Sequence, residues 1–118
     1  MGMARQAKQQ CDLGDLFHLL GSPYVLDVLH VALVKGGPIR FKEFQVTLGI
    51  SPNTLTGRLK ELVDAGLLTR EAFNEIPPRV EYTPSAKAQE LMPVFETLDA
   101  WSKRHSLKAA PLAVATTR

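Results

Sequence analysis

The sequence predicts a mainly α-helical domain that carries one short β-hairpin. Three observations predict it. Residues 50–62, "ISPNTLTGRLKEL", have the spacing of an amphipathic helix with its own start signal. A second short apolar-periodic segment lies just before it, separated only by "GIS". After "DAGLL" the texture changes, and "LLTREAFNEIPPRVEYT" reads as two strands around "NEIPP". Two short helices joined by a tight glycine turn, then a hairpin, is the plan of a winged helix-turn-helix.

The elements follow in order. Residues 1–10 are polar and are expected to form a flexible N-terminal arm. Leu13, Leu16, Phe17, Leu19 and Leu20 then make a short amphipathic helix, stopped by "GSP" at residues 21–23. Ser22 is a capping residue and Pro23 suits a first helical position, so a second helix is expected over about 23–34. That segment is apolar nearly all round, which places it at the centre. "KGGP" ends it. In "IRFKEFQVTL", Phe41, Phe44 and Leu48 fall at i, i+3 and i+7, the third helix.

The fourth helix, about 51–65, has Ser51 as N-cap and Pro52 at its first position. Leu55, Leu59 and Leu62 form its apolar stripe, and Gly66 stops it as the residue after the C-cap. In the wing, expected over about 68–83, Val80 and Tyr82 point one way and Arg79, Glu81 and Thr83 the other. A last helix is expected from Ser85 to about His105, with Pro93 kinking it or marking a break. The domain therefore spans 11–106, and the tail 107–118, with small residues and no period, is expected to be disordered.

Composition narrows the function classes only partly. The chain has 118 residues, 45% of them hydrophobic, enough for one domain with a real core. A net charge of +2 and a pI near 8.9 are mildly basic. One cysteine excludes an internal disulfide and fits a reducing cytosol. No apolar signal region opens the sequence. The apolar run "YVLDVLHVALV" is too short for a bilayer and is broken by Asp27 and His30. A cytoplasmic, nucleoid-associated protein without a membrane partner is expected.

The fourth helix carries the functional signal. Opposite its leucines stand Asn53, Gly57 and Lys60, with Thr54, Thr56 and Arg58 at the edges. A mid-helix glycine costs about 1 kcal/mol against alanine, so its exposed placement calls for a reason. In a helix-turn-helix the second helix enters the major groove by its N-terminal residues, and a glycine there permits close approach. Asn reads adenine, and Arg reads guanine or holds a phosphate. Glu61 and Asp64 lie at the far, C-terminal end. Between residues 35 and 60, Lys35, Arg40, Lys42, Arg58 and Lys60 face a single acid, Glu43. The expected DNA contacts are Arg40, Lys42, Ser51, Asn53, Thr54, Thr56, Gly57, Arg58, Lys60 and Arg79. Arg79 follows the stiff "PP" of the wing tip and is expected on phosphates or in the minor groove, the alternative being a surface pair with Glu81 or Glu75.

Other chemistry is not indicated. His18, His30, His105 and Asp27 have no metal-ligand spacing, and Asp27 and His30, at i and i+3, are expected to satisfy each other or the backbone. No nucleophile–base pair, phosphate loop or carboxylate pair is visible, so neither an enzyme, a metal nor a cofactor is expected.

Cys11, "LLG" at 19–21, "RFKEF" at 40–44, "ISPNTLTGRLKEL", "AGLLTR" and "IPPRVEYTPSA" together resemble HxlR-type winged-helix transcriptional regulators, relatives of the MarR group. The resemblance covers about residues 11–105. Two departures stand out. "GSPY" replaces the family's Gly-Gly-Lys-Trp after the first helix, with Tyr24 left to fill the aromatic slot, and "TP" replaces "LT" before the last helix.

The resemblance implies a homodimer built from the terminal helices on a palindromic operator in a bacterium or archaeon. The residues agree independently. Leu91, Val94, Phe95, Leu98 and Trp101 form a stripe too wide for one packing partner, and Leu13, Leu16 and Phe17 offer a second surface. Cys11 stands where the family's N-terminal cysteine stands, which in some members senses oxidants or electrophiles, so it is a candidate redox sensor. A small-molecule or redox effector is a further expected partner. The competing reading is a winged-helix protein–protein module that does not bind DNA. Salt-dependent binding to duplex DNA separates the two.

Overall fold

The computed structural model describes residues 12–105, and the arm, Cys11 and the tail lie outside them. The chain runs α1 (Asp12–Leu20), α2 (Val25–Lys35), β1 (Ile39–Arg40), α3 (Phe41–Leu48), α4 (Pro52–Asp64), β2 (Leu68–Phe73), β3 (Arg79–Pro84), α5 (Ala86–Gln89) and α6 (Met92–His105). The strands form one antiparallel sheet in the order β1-β3-β2. This is the winged helix-turn-helix expected from the sequence.

α2 is the central element. Val25, Val28, Leu29 and Ala32 are fully buried, together with Phe44 of α3 and the α4 leucines. Its start differs from the sequence expectation. Ser22 and Pro23 do not cap and open it. The chain instead turns through them, with Val25 N–H donating to the Ser22 carbonyl at 3.1 Å, and Tyr24 takes the N-cap position at φ 71°. A left-handed tyrosine costs about 1–2 kcal/mol. Full burial of Val25 directly after it offsets that cost, since burying a valine contributes about 1.5–3 kcal/mol.

The segment 39–48 is also not one helix. Ile39 pairs with Tyr82 and Arg40 with Glu81, adding a two-residue strand to the wing before α3 begins. α3 then starts with Glu43 reaching back to accept the Arg40 N–H at 2.9 Å. It ends at Gly49, whose φ of 66° makes the tight turn into α4 without a Cβ penalty.

The last helical region breaks where proline predicts. α5 is one turn capped by Ser85, and α6 restarts at Met92 with Pro93 in its first turn, where the missing N–H has no helical partner to lose. Ser85 also fixes the base of the wing: its Oγ donates to the Gly66 carbonyl at 2.7 Å and its N–H to the Leu67 carbonyl at 3.0 Å. Among the described residues no single helix is long and apolar enough to cross a membrane.

Candidate nucleic-acid interface

α4 is oriented by its buried leucines. Leu55, Leu59 and Leu62 are at most 1% exposed, so the opposite face must look outward. Ser51 caps the helix as read from the sequence: its Oγ accepts the Thr54 N–H at 3.2 Å and donates to Thr54 Oγ1 at 3.0 Å. Thr56 Oγ1 donates back to the Pro52 carbonyl at 2.8 Å. Asn53 is exposed and its amide has no partner among the described residues. A Cβ built on Gly57 would meet nothing within 4 Å. No packing among the described residues therefore requires glycine there.

The cations divide into two groups. Arg40 and Lys42 are exposed at the start of α3 and form no ion pair among the described residues. The others are held. Lys35 Nζ sits 2.7 Å from Glu43, and that ammonium together with the Arg40 N–H lowers the Glu43 carboxyl below its ordinary range. Lys60 pairs with Asp64 at 2.9 Å on an open surface. Arg58 Nη1 donates to both Glu61 oxygens at 3.2 Å, and its Nε is buried without a partner.

Arg79, expected on phosphates or in the minor groove, instead makes both of the carboxylate pairs that were the alternative. Its Nη1 donates to Glu81 and its Nη2 to Glu75, each at 2.8 Å, and its guanidinium lies 3.9 Å over the Phe73 ring. The strand register puts Arg79 opposite Phe73, and the sequence alone does not show that register. Sequence reading also passed over Arg70, which is exposed on β2 opposite Tyr82. Its alternating position in β2 was the available signal. The hairpin holds two arginines and three glutamates, so it is not a cationic wing. Ile76 at the tip is fully exposed.

The terminal helices leave an apolar groove of about 640 Å³, to which Leu13, Leu16 and Phe17 of α1, Leu91 just before α6, and Val94, Phe95 and Leu98 of α6 contribute. Leu13, Phe17, Val94 and Leu98 are each at least half exposed. Leu91 and Phe95 are half-buried against the core, and Trp101 stands outside the groove, its ring tilted against His105 at 4.6 Å. The expected Asp27–His30 contact is absent among the described residues. His30 stacks on Phe95 of α6 at 5.2 Å. No group of three His, Cys, Asp or Glu with metal-binding geometry occurs among the described residues.

Comparison with known proteins places this arrangement. The HxlR-like helix-turn-helix family model matches residues 19–109. The uncharacterized HTH-type transcriptional regulator BH0655 of Halalkalibacterium halodurans is 35% identical over 98 residues, covering 82% of this chain and 86% of that protein. The HTH-type transcriptional regulator YodB of Bacillus subtilis is 38% identical over 87 residues, 73% of this chain and 76% of YodB. The solved reduced form of YodB superposes with a TM-score of 0.68 at 36% identity, over 77% of this chain and 88% of that one. The redox regulator HypR in its oxidized form gives 0.65 at 26% identity, over 80% and 96%.

Proposed function

The chain belongs to the HxlR-like helix-turn-helix family of transcriptional regulators, and from that premise we propose that it binds specific double-stranded DNA as a homodimer on a palindromic operator. α4 enters the major groove by its N-terminal half, presenting Ser51, Asn53, Thr54, Thr56 and Arg58 around the bare Gly57, with Lys60 farther along. Arg40 and Lys42 hold phosphates at the start of α3. The wing lies on the backbone or in the minor groove, with Arg79 shaping it from inside.

The observation that supports this reading is the open space at Gly57 on an otherwise rule-abiding helix, since packing among the described residues gives no reason for the glycine and close approach to a groove does. Titrating labelled duplex at several salt concentrations tests it. Affinity should fall steeply with salt, by a log–log slope of about −0.9 for each phosphate neutralised. Salt-independent or absent binding to any duplex would reject it.

The dimer pairs the groove residues Leu13, Leu16, Phe17, Leu91, Val94, Phe95 and Leu98, with Trp101 beside them, between two copies. Two α4 helices then lie about 34–36 Å apart, one DNA turn. Cys11 is the proposed thiol sensor. Two of the structural relatives are named for their redox states, reduced YodB and oxidized HypR, and Cys11 is the only cysteine of this chain. Diamide should abolish DNA binding by the wild type and not by Cys11→Ser. Equal responses would place any signal elsewhere.

A further inference from the structure

We infer that Glu61 is a positioning residue for base readout: it holds Arg58 so that the guanidinium addresses the edge of one guanine in the major groove. The inference rests on the DNA-binding reading above. A carboxylate on the outward half of a groove-entering helix repels the phosphates on both sides, so its presence there has to be offset by something it does.

The two ion pairs of α4 differ in kind. Lys60 and Asp64 are 74% and 64% exposed, a solvated pair on a flexible stem whose ammonium is free to exchange its carboxylate for a phosphate. The Arg58 side chain is only 22% exposed. Its Nε is shut off from solvent and unpartnered, so the stem is packed along the protein. Its Nη1 is fixed by both oxygens of Glu61, one helical turn on. Nη2 has no partner among the described residues.

A guanidinium anchored at the stem and at one Nη has lost most of its rotamer freedom before it meets DNA. A phosphate contact needs no such aim, because it is satisfied from many directions. The fixed planar fork of arginine matches the paired O6 and N7 acceptors of guanine, where aim decides the outcome. Arg58 is also next to Gly57, the point where the backbone is free to approach the groove most closely.

The test uses the full chain and its preferred duplex, selected from a random-sequence library, followed by competition with every single-base-pair variant of that site. Arg58→Ala and Glu61→Ala should flatten preference at the same G·C pair, each losing about 5- to 150-fold discrimination there. The double variant should lose no more than Arg58→Ala alone. Glu61→Ala should meanwhile bind unrelated duplex more tightly, since a repelling charge is gone. This split is not expected of a merely structural residue, whose loss would weaken both. Glu61→Gln keeps the length and one acceptor, should give an intermediate loss at that pair, and serves as the readout if the alanine variant does not fold. An unchanged preference profile for Glu61→Ala would reduce the pair to an ordinary surface contact. A change at a different base pair would make Glu61 a direct reader of its own base. Either result overturns the inference. Failure of the wild type to select any duplex would instead reject the proposed function, and would be seen before any variant is made.

Discussion

Replacing Gly57 by leucine separates folding from recognition in one substitution. Position 57 lies in the interior of α4, and a Cβ there meets nothing within 4 Å. The side chain therefore enters solvent without a clash. Helix propensity alone then acts on stability, and removing a mid-helix glycine stabilises by about 0.5–1 kcal/mol. For a domain of this size that raises Tm by roughly 2–8 °C.

On DNA the same leucine stands between the helix backbone and the groove floor. It holds off the neighbouring side chains, Asn53 and Arg58 among them. A good bidentate base contact discriminates by about 1–3 kcal/mol, so losing two weakens specific binding by at least about 30-fold. The expected outcome is opposite signs: a higher melting temperature by circular dichroism and a much weaker specific complex by fluorescence anisotropy. Gly57→Ala should show the same stability gain with a smaller loss of affinity. A higher Tm with unchanged affinity would refute the groove-approach argument. A lower Tm would mean that glycine is needed for the fold itself.

Three further outcomes are expected. Arg79→Ala should lower stability by about 1–2 kcal/mol, from a cation–π contact and two partly shielded ion pairs, and leave the salt slope unchanged. A slope reduced by about one unit would instead make Arg79 a phosphate contact. Leu98→Asp should give monomers in sedimentation velocity that bind the operator poorly, because avidity across two half-sites is lost, and a monomeric wild type at micromolar concentration would count against the dimer. Glu43 is held ionised by Lys35 and the Arg40 N–H, so its carboxyl is lowered from its ordinary 4.5 in the folded state. Its stabilisation is then fully present above pH 4.5 and is lost as pH falls through the lower folded value, so acid melts of Glu43→Gln should fall less steeply there than those of the wild type.

What the sequence disclosed and what it hid divide along one physical line. α4 was legible because everything that makes it a helix is local: Ser51, Pro52, three leucines at helical spacing and Gly66 beyond its end. The break before α6 was legible because Pro93 lacks an N–H wherever it is placed. β1 was not, since two residues carry no period and exist as strand only through pairing with Tyr82 and Glu81, far along the chain. The start of α2 was misread for the same reason. Ser22 and Pro23 offered a good local cap, and the demand that Val25 enter the core prevailed.

The interface followed the same rule, with a consequence for its energetics. The residue types on α4 were readable one by one, but their pairing was not. Read singly, Lys35, Arg58, Lys60 and Arg79 count as attractors of phosphate, yet each is already held by at least one carboxylate in the free protein. Between residues 35 and 79, only Arg40, Lys42 and Arg70 are exposed without an acid partner among the described residues. Each paired cation releases its carboxylate when it takes a phosphate, so its net gain is small. The electrostatic pull on arbitrary DNA should therefore be weaker than the basic residues suggest. Discrimination then falls to the contacts around Gly57, where a bare backbone, a free amide at Asn53 and a fixed guanidinium at Arg58 meet.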